Sequence, residues 1–296
     1  MTTHAPTSPA EPFSIGLKPL ADDNFLIIDD QLPRYLAEKR WHYAKRFQSV
    51  FMAEQDTQES QLWVSEHIMD CLSKHHRDRY EYNKGGWMVP RDANQLPHRG
   101  DWAHAPMAGA ALVIQDDLVL MHRDETGWRL VAASLCFPSS WNLAEKFGRP
   151  IRDIHLPVPM PDRMPDRIDR IFDNLKPDKP VWRANWSLDA DGGLRQDRCE
   201  QHRGEDFDRL AGTIWFRSEY QTLHKLPNMR GILFTIRIAT STLDDLVNEP
   251  NGRAQVSKLA RQYAGMNRDQ LVYKGIEVGA ERFVEWMKLN GAGADD

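Results

Sequence analysis

The sequence has few cysteines and no long hydrophobic run. Its three cysteines, Cys71, Cys136 and Cys199, are too few and too far apart for a disulfide framework, an iron–sulfur cluster or a zinc site. No apolar run approaches the roughly 18 residues that suggest a membrane-spanning helix. Residues 1–12 lack the apolar region of a signal peptide and are predicted to be a disordered tail. Together these absences predict a cytoplasmic protein that has no membrane partner.

Motifs that bind nucleotides or nucleic acids are also missing. No GxGxxG motif follows a strand and opens a helix, and there is neither a P-loop nor a CxxC pair. The formal net charge is −5, and no basic block is interleaved with aromatic residues, so nucleic acid is not expected as a partner. The missing dinucleotide fingerprint further predicts that the chain does not take electrons from NAD(P)H by itself.

Alternating apolar and polar residues predict five antiparallel strands. These strands lie near residues 111–123, 128–137, 181–188, 213–226 and 231–240. A turn at residues 124–127 (Asp-Glu-Thr-Gly) joins the first two strands as a hairpin. Helical periodicity occurs before the first strand, between the second and third strands, and after the last strand. This order predicts an α+β fold built on an antiparallel sheet.

The same order of strands is that of a PAS-type domain, in which a curved sheet and intervening helices enclose a ligand pocket. We expect a single domain over residues 13–290. Its PAS-like core is predicted at about residues 106–242, with helical elaborations before and after it. Residues 291–296 are predicted to form a loose tail.

A stiff segment with a histidine follows the second strand. Ser139 or Ser140 can cap a short helix that ends at Gly148, and His155 then precedes the sequence Leu-Pro-Val-Pro. The two prolines favour an extended backbone and hold the histidine in one direction, which suits an axial ligand of a metal or haem. A core histidine that is hydrogen-bonded to a carbonyl is the alternative. His224 is the rival ligand.

Charged and polar residues alternate along the last three strands. The pairs are Arg183 and Asn185, Arg217 and Glu219, and Thr235 and Arg237. A buried carboxylate at Glu219 can bind a small organic cation and accept its proton, with Arg183 or Arg237 keeping the carboxylate ionised. Tyr220 falls on the opposite face by strict alternation, so it reaches the same site only if the strand twists or bulges. A solvated sheet face is the alternative interpretation.

Four blocks of sequence suggest a family. They are LVAASLCFPSSWNLAEKFGRPIRDIHLPVP (130–159), PVWRANWSL (180–188), WFRSEYQTLHKLP (215–227) and ILFTIRIATSTL (232–243). In this order they resemble the haem-dependent oxidative N-demethylases, and the resemblance extends over nearly the whole chain. Its most specific parts are CFPSSW, GRPIRDIHLPVP and RSEYQTLHKLP.

The resemblance implies a PAS-like domain that holds haem b and uses oxygen to demethylate a small secondary amine such as dimethylamine. The products would be formaldehyde and a primary amine. Members of the family work with separate redox subunits, which implies a flavin or iron–sulfur reductase that delivers electrons from NADPH. A haem or small-ligand sensor without catalysis is the alternative, but the sequence shows no output element of a sensor.

Site residues can be assigned on this basis. His155 is predicted to be the axial ligand of the iron, and Trp182, Trp186 and Arg217 are predicted to bind the cofactor. The predicted catalytic residues are Glu219, Arg183, Arg237 and Tyr220. Glu219 has the central role, as the carboxylate that binds the amine.

Overall fold

A computed structural model describes residues 15–91, 99–139, 142–154, 164–189, 191–196, 214–227, 231–274 and 280–291. The strands in these ranges are β1 (Lys18–Pro19), β2 (Phe51–Ala53), β3 (Tyr80–Tyr82), β4 (Met88–Pro90), β5 (Asp117–Asp124), β6 (Gly127–Ser134), β7 (Val181–Asp189), β8 (Trp215–Lys225) and β9 (Gly231–Thr242). The α-helices are α1 (Leu32–Val50), α2 (Gln58–His75), α3 (Pro106–Ala111), α4 (Leu143–Lys146), α5 (Ile151–Ile154), α6 (Met164–Asn174), α7 (Leu243–Asn248), α8 (Gly252–Ala264), α9 (Arg268–Tyr273) and α10 (Ala280–Gly291). Among these described helices, each is too short or too polar to cross a lipid bilayer.

The main sheet is antiparallel, with strand order β1-β7-β8-β9-β5-β6-β2, and β3 and β4 form a separate small sheet. This confirms the predicted α+β class and the five predicted strands, which correspond to β5–β9. The predicted hairpin turn is also present: Asp124 pairs with Gly127, whose positive φ of 115° is easily adopted by glycine. The likeness to PAS domains and the extent of the domain remain predictions.

The start of the first predicted strand is wrong by several residues. Residue 111 was expected to open the strand, but it ends helix α3, and the strand begins at Asp117. The polar sequence Gln115-Asp116-Asp117 looks like a surface break, whereas all three residues are completely buried. These three polar side chains lie inside the protein, so their polarity in the sequence is not a sign of solvent exposure here.

Side chains along β7, β8 and β9 alternate between two faces of the sheet, and their pairing register is continuous. We call face A the side on which Glu219 lies, together with its cross-strand neighbours Asn185 and Ile238. Face B is the opposite side and includes Tyr220 and its neighbour Arg237. Residues on different faces are separated by the sheet and cannot share one pocket.

Face B is covered by the N-terminal and C-terminal helices. Helix α1 contacts it through Tyr35, whose hydroxyl donates to the carbonyl of Ile238 at 2.6 Å. Helix α2 contacts it through Ser60, whose Oγ lies 3.0 Å from His122 Nε2. Helices α7, α8 and α10 form a second hydrophobic core around the buried ring of Trp186.

Face A is covered differently, by helix α6, which lies between β6 and β7 in the chain. Phe172 of α6 packs edge-on against Trp128, with ring centroids 5.7 Å apart, and Asp173 accepts a hydrogen bond from Trp128 Nε1 at 2.9 Å. The ammonium of Lys225 lies over the same indole, which places α6 on face A. Ile151 of α5 is buried in the same core. On the β7–β8 part of face A, the polar side chains of Asn185, Glu219 and Gln221 are hydrogen-bonded to one another.

A group of buried charges lies where α1 meets the sheet. Arg237 donates to the carboxylate of Asp29 at 2.7 Å, and both side chains are buried. Lys39 donates to the backbone carbonyls of Ala111 and Asp116. Neither carboxylate oxygen of Asp116 has a hydrogen-bond partner among the residues that the structure describes. Burial raises the pKa of Asp116 to about 7, although the charges of Arg237 and Lys39 act in the opposite direction.

Replacing Asp116 by Asn should therefore stabilise the protein at neutral and alkaline pH. Because the pKa of Asp116 is higher in the folded state, its ionisation lowers the free energy of unfolding as pH rises from about 4 to about 7. The difference from an ordinary aspartate corresponds to about 4 kcal/mol as an upper limit. Urea denaturation of Asp116→Asn should show a gain at pH 8 that disappears near pH 4. A gain that is independent of pH, or equal to that of the exposed Asp70→Asn control, would contradict this assignment.

Candidate functional site

The candidate site is centred on Glu219, a half-buried carboxylate in the middle of β8 on face A. Its Oε1 accepts a hydrogen bond from Ser139 Oγ at 2.6 Å. Its Oε2 accepts from Gln221 Nε2 at 2.8 Å and from Asn185 Nδ2 at 3.3 Å. Asn185 lies directly opposite Glu219 on β7, and Gln221 is two residues further along β8. These three donors fix the orientation of the carboxylate.

Arg217 connects this carboxylate to the surrounding backbone. Its guanidinium is completely buried and donates to Ser139 Oγ at 2.9 Å, to the carbonyl of Phe137 at 2.9 Å and to the carbonyl of Gly193 at 3.3 Å. It therefore joins β8 to the segment that follows β6 and to the loop that follows β7. The planar fork of the arginine side chain suits contacts to acceptors in several directions.

Ser139 is the link between Arg217 and Glu219, and the sequence did not indicate this role. The sequence suggested Ser139 or Ser140 as a helix cap, but Asn142 caps α4, with its side chain accepting from the backbone N–H of Ala144. Residue 140 lies outside the described residues. Serine in a CFPSSW sequence is typical of a cap, and no spacing pattern connects it to Glu219, which is 80 residues away.

Arg183 is on the same face as Glu219, as predicted. It pairs with Gln221 across the β7–β8 ladder, which makes it a diagonal neighbour of Glu219. Burial lowers the pKa of the Arg183 guanidinium, and the charge of Glu219 acts in the opposite direction. The structure thus brings a guanidinium and a carboxylate together at this site.

Arg237 does not belong to this group, which corrects the expectation that it could pair with Glu219. It lies opposite Tyr220 in the β8–β9 ladder and therefore points to face B. Its partner there is Asp29, and its guanidinium also lies over the ring of Tyr35. The register of β8 and β9 sets this, because Glu219 pairs with Ile238 and not with Arg237.

Three aromatic residues predicted for the site also lie on face B. Tyr220 donates its hydroxyl to the carbonyl of Asn24 at 2.9 Å, and no bulge in β8 turns it towards Glu219. Trp182 packs against Tyr220, and Trp186 is buried against Tyr263 in the second core. The rings of Trp182 and Trp186 therefore contact protein on face B. Arg217, the third predicted cofactor-binding residue, lies on face A.

His224, the alternative axial ligand, is on face B as well. Its ring lies between Phe25 and His67, with centroids 4.2 Å and 5.0 Å away, and its Nδ1 forms a hydrogen bond with His67 Nε2 at 3.2 Å. Burial and the neighbouring His67 lower the pKa of His224 to about 3. Nε2 has no hydrogen-bond partner in the described ranges. However, the sheet separates this nitrogen from Glu219.

His155 lies outside the described residues, so its assignment remains a prediction. The segment that contains it, residues 155–163, connects α5 to α6. Helix α6 packs on face A, and α5 contacts α6 and β6. The last described residue before the segment, Ile154, packs against the core and accepts a hydrogen bond from Lys146 at 3.2 Å. The helix that follows the segment therefore lies on the same side of the sheet as Glu219.

The residues on this part of face A fit a haem. Val181 and Phe234 are apolar, only partly buried and on the same face as Glu219. They flank Leu223, further along β8 from the carboxylate, and offer an apolar area there. The iron of a haem needs one protein ligand. Within the described ranges, no group of three or more histidine, cysteine or acidic side chains could hold a bare metal ion. Burial raises the pKa of the Cys136 thiol, which disfavours a thiolate ligand.

Comparison with known families gives a match over most of the chain. A family model described as haem-dependent oxidative N-demethylase, alpha subunit-like, matches residues 16–284. The matched range contains all of the described strands and extends into α10. Ser139, Arg217 and Glu219 lie within it.

Replacing Arg217 by Met should destabilise the protein, because the loss of the guanidinium leaves buried acceptors at Phe137, Ser139 and Gly193 without their donor. We expect a decrease of about 3 kcal/mol or more in the free energy of unfolding, measured by urea denaturation at pH 7. The matched control is Arg170→Met, because Arg170 is exposed and its side chain bonds within its own helix. Equal, small effects of the two substitutions would show that Arg217 does not join these segments.

Proposed function

The chain belongs to the haem-dependent oxidative N-demethylase, alpha subunit-like family, and on this premise we propose that it is a monooxygenase that removes a methyl group from a small secondary amine. The simplest such substrate is dimethylamine. The observation that supports the proposal most directly is the carboxylate of Glu219, which is held by Ser139, Gln221 and Asn185 in a half-buried pocket. A carboxylate in such a position is complementary to a protonated amine.

Glu219 would bind the amine as an ammonium ion and then accept its proton. A secondary amine is protonated at neutral pH, and its nitrogen must lose the proton before the nitrogen or the adjacent methyl group can be oxidised. Three neutral donors hold Oε1 and Oε2 and orient the carboxylate towards a bound cation. Arg183 lies beside it and provides a second charge for orientation.

The cofactor would be haem b, held by His155, and the partly exposed apolar residues Val181 and Phe234 would be available to contact it. When bound, haem supplies the activation of oxygen that an amine methyl group requires. Since α6 packs on face A, a ligand from the segment just before it would favour a cofactor on the side of Glu219. A ligand at His224 would favour the other side.

The overall reaction requires electrons from outside the chain. A secondary N-methylamine, O2, two electrons and two protons give a primary amine, formaldehyde and water. The family is described as alpha subunit-like, which supports the presence of a further subunit. We propose that this is a flavin or iron–sulfur reductase that passes electrons from NADPH to the haem.

His155→Ala should abolish or strongly reduce haem binding, because the iron loses its protein ligand. The measurement is the Soret absorption per chain after reconstitution of the purified protein with haem b. His224→Ala is the matched variant and should keep a wild-type Soret spectrum. The reverse result would assign the ligand to His224, and unchanged spectra for both variants would exclude both histidines.

Glu219→Gln should leave the haem content unchanged and lower kcat/KM for amine demethylation by about a hundredfold. This corresponds to about 3 kcal/mol for the loss of a charged hydrogen-bonding group that also accepts the proton. Formaldehyde release with a supplied reductase is the assay. The control is Glu38→Gln, which changes an exposed carboxylate paired with Arg34 on α1. Near-normal turnover of Glu219→Gln would show that Glu219 has a structural role and no catalytic one.

A further inference from the structure

We infer that the preferred substrate carries a carboxylate in addition to its methylated amine, which makes it an N-methylated amino acid. This inference rests on the proposed function, because it uses the same pocket and the same reaction. The observation behind it is that face A presents a guanidinium and a carboxylate, Arg183 and Glu219, as diagonal neighbours on adjacent strands. Such a pair is complementary to a zwitterion.

The positions of the two side chains support a two-point contact. Diagonal residues in an antiparallel ladder lie about 7–8 Å apart, within reach of long side chains. Glu219 is held in place by three donors, and Asn185 lies directly opposite it on the strand of Arg183. The register places Arg183 and Glu219 on one face of two paired strands. Burial lowers the pKa of the Arg183 guanidinium, and the charge of Glu219 acts in the opposite direction.

The charges around the pocket favour a zwitterion over a simple cation. Arg217 donates to Ser139, which donates in turn to Glu219. Burial raises the pKa of the Asp117 carboxyl group, while Lys39, two backbone N–H groups and Arg217 act in the opposite direction. Asp189, at the end of β7, accepts a hydrogen bond from Ser187.

The carboxylate of Glu219 and the guanidinium of Arg183 attract each other. A bare dialkylammonium ion would have to compete with the guanidinium for the carboxylate, and it would offer no group to Arg183. An N-methylated amino acid places its ammonium on Glu219 and its own carboxylate on Arg183. Both charges of such a ligand then meet an opposite charge in the site, and charge-assisted hydrogen bonds of this kind are the stronger ones.

The test compares two ligands of similar shape on the haem-loaded, full-length protein. N-methylglycine has the carboxylate, and N-methylisobutylamine has a branched apolar group in its place. Calorimetric titration at pH 7 should give a dissociation constant for N-methylglycine that is lower by about tenfold or more, as expected for one added charged contact. Formaldehyde release, with electrons supplied, should show the same preference in kcat/KM.

Substitution of Arg183 identifies the source of the preference. In Arg183→Gln, the ratio of the two dissociation constants should fall to about one, and Arg183→Lys should retain part of it because the charge remains. Arg34→Gln, on the exposed surface of α1, is the matched control and should keep the wild-type ratio. Glu219→Gln should weaken the binding of both ligands, because both place an ammonium at this carboxylate.

The outcomes separate this inference from the proposed function. If N-methylisobutylamine binds and is demethylated as well as N-methylglycine, or if Arg183→Gln keeps the preference, the inference is wrong while the demethylase function stands. If both ligands bind in the predicted order but neither is demethylated, the proposed function fails and the zwitterion site remains. If neither ligand binds, the inference is wrong, and the turnover of dimethylamine then decides whether the proposed function stands.

Discussion

The hydrogen bonds of the Arg217 guanidinium are the interaction on which the rest of the site depends. A fully buried cation is costly unless its donors are satisfied, and this one is satisfied by groups from the segment after β6 and from the loop after β7. Those two segments also contact each other, since Gln196 donates its backbone N–H to the carbonyl of Pro138. The position of Ser139, and through it that of Glu219, follows from this arrangement.

The two faces of the main sheet differ in how their polar side chains are covered. Face B is closed by the terminal helices, and its charges are neutralised inside the protein, as in the pair formed by Arg237 and Asp29. Face A keeps half-buried polar side chains around Glu219. A rigid, well-packed face behind a reactive one holds the reactive groups in place, which is what a catalytic carboxylate needs for a fixed direction of proton transfer.

Much of the fold could be predicted from the sequence, because strand alternation and turn residues are local signals. The strands β5–β9 followed from that pattern. The choice between Arg183 and Arg237 as the neighbour of Glu219 did not, because alternation within one strand does not fix the register between two strands. The partnership of Ser139 with Glu219 is a long-range contact, and it leaves no trace in local spacing.

The continuous register of β7, β8 and β9 also limits how this sheet can change. Each residue of β8 is assigned to one face, so the loss or gain of one residue within the strand would exchange the two sets of side chains. Glu219 would then face the packed helices, and Tyr220 would enter the polar pocket. Insertions and deletions should therefore be tolerated in the connections between these strands, whereas inside β8 only substitutions preserve the protein.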